Sequence, residues 1–253
     1  MKAAERQLRI RHLIESRDFI DLETLCREFD ASESSVRRDL DILEQEKALK
    51  RVYGGAVSVH PPQAARAFDY AVESSRLSDE KGRIAQRAAG LVEDGQTVIL
   101  DGGSTVAAVA RELSSKSLHI VTNSLPIAES LESLRNIELT LTGGYFDPRL
   151  RVMLGPFCEQ MLGAIRADLL IMGIGSISAA GFSNNNTLVV GSEQKMLAVA
   201  RKVIIVADHT KFGRGGVIPV APLSAAHVVV SDTGLASEYI DLLRSSGVEV
   251  LLA

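Results

Sequence analysis

The chain has 253 residues, 46% of them hydrophobic and 24% charged, with two cysteines and a net charge of −4. That balance excludes extensive disorder, a disulfide framework and a four-thiolate zinc site, and it leaves no overall positive charge for gripping a polyanion. The N-terminal stretch is charged throughout, and the longest uncharged run, Leu169 to Ser192, holds four glycines and the polar segment Ser183 to Thr187. Neither a signal peptide nor a membrane span is expected, so the protein is predicted to be cytoplasmic.

In chain order, Leu8, Ile10, Leu13 and Ile14 give a first helix an apolar face. Asp21 is a candidate N-cap for a second helix, whose Leu22, Leu25, Cys26 and Phe29 fall at i, i+3, i+4 and i+7. That spacing predicts a buried Cys26. Asp30-Ala31-Ser32 interrupts, and Ser32 or Glu33 opens a third helix with the stripe Val36, Leu40, Leu43. A β-prone segment, Ala48 to Val59, folds about Gly54-Gly55. Helix, helix, turn, helix, hairpin is the layout of a winged helix-turn-helix, predicted for residues 1–57.

Residues 1–60 carry 11 basic and 12 acidic side chains, net −1, so any DNA contact depends on placement rather than total charge. With the apolar stripe turned inward, Ser34, Ser35, Arg37, Arg38 and Asp41 lie largely off the core face, and the DNA-binding candidates on this helix are Ser32, Ser34, Ser35, Arg37 and Arg38. Lys50, Arg51 and Tyr53 lie on the hairpin. Adjacent arginines on a helix are commonly just solvated. Here the turn and the basic wing favour DNA, since arginine supplies the fork that reads guanine or grips phosphate.

Ser32-Glu33-Ser34-Ser35-Val36-Arg37-Arg38-Asp39-Leu40 and Arg51-Val52-Tyr53-Gly54-Gly55-Ala56 resemble the S-x-x-T-I-R-R-D-L and R-x-H/Y-G-G-A motifs of the DeoR family of bacterial repressors. Ser35 and Val36 stand where the family carries Thr and Ile. The resemblance covers nearly all of residues 5–57 and implies that the helix bearing Ser34, Ser35, Arg37 and Arg38 enters the major groove of operator DNA.

Residues 58–78, with Pro61-Pro62, read as a linker, partly helical from Ala64 to Arg76. Residues 79–253 read as an α/β domain. Glu80 to Val92 is an amphipathic helix. Short β-runs follow at 97–100, 118–121, 137–141, 169–172, 203–206, 228–230 and 248–252, with helical patterns at 106–113 and 127–134. Such alternation predicts a mostly parallel sheet covered on both faces.

Ligands of open α/β sheets bind beyond the carboxyl ends of the strands. Those ends carry Asp101-Gly102-Gly103-Ser104-Thr105, Thr122-Asn123-Ser124, Thr142-Gly143-Gly144, Gly173-Ile174-Gly175-Ser176 and Asp208-His209-Thr210-Lys211. One glycine pair merely turns a chain, but five such ends on one edge describe an anion pocket. The candidate effector residues are Asp101, Gly103, Ser104, Thr105, Asn123, Ser124, Gly143, Gly144, Gly175 and Lys211.

Roughly residues 79–235 also resemble the C-terminal domain of the DeoR family, through Asp101 to Thr105, Val121 to Ser124, Thr142 to Gly144, Leu154 to Pro156 and Ala207 to Gly213. The resemblance implies a fold similar to ribose-5-phosphate isomerase and CoA-transferases, and a phosphorylated sugar as effector. The segment Asn184 to Met196 departs from the family's pattern, leaving the roles of Glu193 and Lys195 open. A sugar-phosphate isomerase with a DNA-binding appendage is the alternative, with Asp101, Asp208 or Glu193 as base. It leaves residues 5–57 unexplained.

His12, His60, His119, His209 and His227 show no metal spacing, so neither a metal nor a cofactor is predicted. His119 is expected to be packed in a strand, and His209 to serve a turn or touch a ligand. The predicted partners are double-stranded operator DNA, a phosphorylated sugar and further copies of the chain, as a homodimer or homotetramer. No membrane partner is expected.

Overall fold

The computed structural model describes residues 6, 7, 9, 10, 13, 19–46, 48–52, 55–58, 69–213 and 215–253. The chain divides into two compact units, Met1–Ala67 and Phe68–Ala253.

In the first unit, Arg6, Gln7, Arg9, Ile10 and Leu13 are helical. Strand β1 (Phe19–Asp21) leads directly into helix α1 (Leu22–Phe29). Asp21 caps it, accepting from the Thr24 amide at 2.7 Å. The helix ends at Asp30, whose φ of 45° is left-handed, a conformation that aspartate tolerates better than most residues. Helix α2 (Glu33–Gln45) follows, and β2 (Leu49–Val52) pairs antiparallel with β3 (Gly55–Ser58). Strand β1 pairs with the other side of β3, a third wing strand that the periodicity does not predict. Ile10, Leu25, Phe29, Val36, Leu40, Leu43, Leu49 and Ala56 form the core. Cys26 is only half-buried, contrary to expectation, because it lies at the edge of the helix stripe rather than its centre. The unit is a winged helix-turn-helix.

The second unit opens with α3 (Tyr70–Ser75), well inside the predicted helical stretch; residues 59–68 of the linker lie outside the described residues. Helix α4 (Ser78–Ala89) leads to the sheet. All seven predicted runs are strands of one sheet: β4 (Thr97–Leu100), β5 (Leu118–Thr122), β6 (Ile137–Leu141), β9 (Ala167–Met172), β12 (Ala200–Val206), β14 (Val228–Ser231) and β15 (Glu249–Leu252). Their order is β15-β14-β12-β9-β4-β5-β6, with every pairing parallel.

Alternate strand residues feed two cores. Val98, Leu100, Ile120 and Ile171 meet α4, α5 (Ser104–Glu112) and α6 (Leu125–Leu131) on one face. Ile99, Val121, Leu170 and Ile205 meet α7 (Pro156–Gly163), α8 (Thr187–Val199) and α9 (Ser237–Ser245) on the other. Two small antiparallel additions lie outside the predicted runs: β7 (Tyr145–Asp147) with β8 (Val152–Leu154), and β10 (Ser176–Ser178) with β11 (Gly181–Asn184) and β13 (Ile218–Ala221). From β4 the chain winds one way through β5 and β6, then returns to β9 on the other side of β4 and winds the opposite way. The crevice between the carboxyl ends of β4 and β9 is therefore the topological switch point.

Candidate functional site

At the start of α2, Ser32 caps the helix, accepting from the Ser35 amide at 3.3 Å. Its hydroxyl also lies 3.1 Å from that of Ser34 and 2.9 Å from that of Ser35. Three hydroxyls thus gather where the helix dipole is positive, a place suited to phosphate. One turn on, Arg37 is exposed and held by Glu33, its Nε donating to Oε1 at 2.9 Å. Arg38 on the helix and Lys50 on the wing are both exposed, with no ion-pair partner recorded among the described residues. Arg51 pairs with Asp41 of α2, and its amide donates to Glu44 at 2.8 Å, fastening the wing to the helix. Tyr53 lies outside the described residues.

Sequence reasoning passed over Asp39. It is 2% exposed, accepts from Arg6 Nε at 2.5 Å and from Gln7 Nε2 at 2.8 Å, and ties α2 to the N-terminal helical residues. The signal was present: Asp39 sits three residues after Val36 and four before Leu43, on the core stripe where a charge requires a partner.

In the second unit, β4 is followed by Asp101, whose amide donates to Ile171 of β9 at 3.1 Å. Gly103, at φ 122°, turns the chain into α5, and among the described residues no side chain caps that helix. Ser104 and Thr105 therefore stand beside unclaimed amides at the switch point. From β5, Asn123 donates its Nδ2 to the Met153 carbonyl at 3.2 Å. Asn123 Oδ1 and Ser124 Oγ are buried with no hydrogen-bond partner among the described residues.

Residues beyond β6 complete the edge. Thr142 Oγ1 lies 3.4 Å from Cys158 Sγ. The Gly143 amide donates to Met161 Sδ at 3.0 Å, so it is already engaged. Gly144 has φ 131°, and an added Cβ would stand 2.5 Å from the Leu154 carbonyl. Gly144→Ala is expected to destabilise this unit by roughly 1–3 kcal/mol, read as a lower denaturation midpoint, without any ligand being involved. Gly175 is exposed beside Asn184.

Asn184 donates to Glu193 Oε1 at 2.9 Å. Glu193, from the middle of α8, is 2% exposed and its Oε2 has no partner among the described residues. Burial pushes its carboxyl up to about 8, helped by the Asp101 charge nearby. Burial likewise raises Asp101 to about 7, although the Gly102 amide opposes it. Two buried carboxyls thus lie within electrostatic reach of each other. Glu193 was left unplaced by sequence, while Lys195, two residues on, is exposed.

Lys211 belongs to a neighbouring cluster beyond β12. Its Nζ lies 3.3 Å from Glu73 Oε2, and buried Lys81 donates to the Glu73 carbonyl at 2.5 Å. Burial alone would raise the Glu73 carboxyl, but Lys211, Arg76 and Lys81 hold it below the usual value. Asp208 accepts from the Thr210 amide at 3.0 Å, and His209 pairs with Asp232 at 2.8 Å, so both close the turn. His119 lies in β5 with Nε2 3.2 Å from Thr140 Oγ1. Among the described residues no group of three or more His, Cys, Asp or Glu could hold a metal, and no helix is long and apolar enough to cross a membrane.

Comparison with known proteins matches both units. The DeoR-like helix-turn-helix domain matches residues 6–62, and the DeoR C-terminal sensor domain matches residues 76–233. The transcriptional repressor GlcR of Bacillus subtilis is 31% identical over 252 residues, covering 100% of this chain and 97% of its own. The glycerol-3-phosphate regulon repressor of Haemophilus influenzae is 31% identical, covering 88% of this chain and 87% of its own. Among solved structures, ribose 5-phosphate isomerase from Plasmodium falciparum overlaps loosely, with a TM-score of 0.39, 19% identity and 54% of each chain covered; overlap at that level carries no functional information. A winged helix-turn-helix joined to a doubly wound sensor domain, matched along its length, places this chain in the DeoR family of DNA-binding transcriptional regulators.

Proposed function

We propose that the chain is a cytoplasmic repressor of a sugar-metabolism operon. Residues 1–57 grip operator DNA, residues 79–253 sense a phosphorylated sugar, and 58–78 join them. Two relatives that match almost end to end are themselves named repressors, one of a glycerol-3-phosphate regulon. The observation that carries the sensor reading is the uncapped N-terminus of α5 at the switch point, flanked by Gly103, Ser104 and Thr105. Unclaimed amides and a positive helix end are what a phosphate seeks. On the DNA side, Ser34, Arg37 and Arg38 on α2 face a groove, and Lys50 and Arg51 on the wing take the backbone.

The sensor does not act as an isomerase in this reading, and sugar phosphates bind without turnover. Operators are commonly two-fold, so a dimer or tetramer presents two copies of α2.

The test begins with a random duplex library enriched by rounds of binding to the purified protein. Anisotropy of the selected duplex is then read with and without phosphorylated sugars. Arg38→Ala is expected to weaken binding by about tenfold or more. One phosphorylated sugar is expected to change the affinity by roughly 5–150-fold, its unphosphorylated parent not at all. No enriched sequence would sink the DNA half of the reading. Selected DNA that ignores every phosphorylated sugar would sink the sensor half.

A further inference from the structure

Between the last wing strand, β3, and the sheet of the sensor unit, the first described helix is α3. It has six residues, none of them buried, and its Val72 is 57% exposed. A helix this short does not persist on propensity alone, so α3 depends on what holds it. Apolar support is thin. Tyr70 is half-buried against the core, and its amide donates to the Arg149 carbonyl at 2.9 Å.

The rest is charge. Glu73 is the one ionisable acid of α3, and both its carboxylate oxygens are engaged. Oε1 accepts from Arg76 Nη1 at 3.0 Å, and Oε2 accepts from Lys211 Nζ at 3.3 Å. Lys81 of α4, 3% exposed, donates to the Glu73 carbonyl. The Glu73 and Lys211 side chains are 16% and 22% exposed, which keeps much of the pair out of solvent screening.

These ties work against the backbone. Leu77, between α3 and α4, stands at φ 48° and ψ 45°, in the left-handed region. Leucine has no polar side chain to compensate that conformation, so the hinge is strained and is held by the contacts around it.

We propose that α3 is a releasable strap, and that the Glu73–Lys211 pair is the catch that links the edge of the sensor sheet to the DNA unit. Lys211 follows β12, at the same carboxyl edge of the sheet as Ser104 and Asn123. A change at that edge reaches Glu73 through one ion pair, and α3 leads in sequence to the DNA unit. With the catch closed, the sensor's end of the connection is fixed. That lowers the entropy cost of seating two DNA units of a dimer on one operator. With it open, DNA binding weakens. The strap rests on the reading of the chain as an oligomeric DNA-binding repressor, and on no particular effector.

The experiment uses the full chain, Glu73→Gln, Lys211→Met and the double variant, with no small molecule added. Hydrogen exchange is read at the amides of residues 70–76, and anisotropy at the duplex selected by the wild type. In each single variant α3 is expected to exchange about tenfold or more faster, with β4 and β9 unchanged. Duplex affinity is expected to fall about fivefold or more. The double variant is expected to match the weaker single within about twofold, because both changes open one catch.

Faster exchange with duplex affinity unchanged overturns the proposal, since α3 is then only a local clasp. Unchanged exchange overturns it as well. So does exchange that rises equally across the sheet, which marks a packing contact, or a double variant whose loss is the product of the two single losses. A wild type that selects no duplex removes the DNA-binding reading itself, which no variant result can do. If Glu73→Gln fails to fold, Lys211→Met carries the comparison of exchange and affinity.

Discussion

Glu193→Gln is expected to raise the melting temperature of the sensor unit at pH 8 by about 4–8 °C, and to change it far less at pH 4.5. In the unfolded chain this carboxyl titrates near 4.3. Burial and the neighbouring Asp101 move it to about 8 in the folded protein. Below the unfolded value both states hold the proton, and folding incurs no penalty. As pH rises, the unfolded chain releases its proton first, and each unit removes up to about 1.4 kcal/mol of stability until the folded value is passed. The stability tied to this group is therefore complete in acid and lost by about pH 8.

The substituted glutamine would carry no charge and would still accept from Asn184, so the penalty disappears while the packing stays. We take the gain as on the order of 2 kcal/mol at pH 8, well under the full shift, because buried sites relax and admit water. Scanning calorimetry of both proteins at the two pH values measures it. Equal shifts at both, or a fall at pH 8, would show that Glu193 is ionised and paired in the native state.

Asp39→Ala produces the opposite outcome in the other unit. It leaves the Arg6 guanidinium without its carboxylate and Gln7 without its acceptor. Breaking a buried pair from one side costs about 3–5 kcal/mol, which a unit the size of Met1–Ala67 cannot absorb. DNA binding is expected to vanish, while sensor-unit melting and ligand binding stay at wild-type values. Arg38→Ala is expected to weaken DNA binding as well, but to leave the unfolding of the first unit unchanged. If Asp39→Ala kept its DNA affinity within about twofold, the ion pair would be an accessory rather than the tie between α2 and the N-terminal helical residues.

The sheet was legible because its central strands are buried on both faces and written in β-branched runs such as Thr97-Val98-Ile99-Leu100 and Val203-Ile204-Ile205-Val206. The hairpins were not, because Tyr145-Phe146-Asp147 and Ser176-Ile177-Ser178 are three residues long, too short for a period of two to stand out. Asp101, Ser104 and Asn123 could be found by looking just past each strand. Glu193 could not. Helix α8 reads Thr187-Leu188-Val189-Val190-Gly191-Ser192-Glu193-Gln194, with apolar and polar residues in blocks rather than at helical spacing, so nothing marks the glutamate as inward. Lys211 was visible as a strand-end cation. Its partner Glu73 lies 138 positions earlier, in a segment whose sequence reads as linker.

The placement of β4 between β5 and β9 has a consequence for the newly made chain. Asp101 and the start of α5 leave the ribosome well before Glu193, with β5, β6 and β9 made in between. At roughly 5–20 residues per second, that interval lasts about five to twenty seconds. During it the chain has made the β4 side of its crevice and still lacks α8, and with it Glu193. The crevice is therefore completed late, and its two buried carboxyls can come together only once α8 has been made.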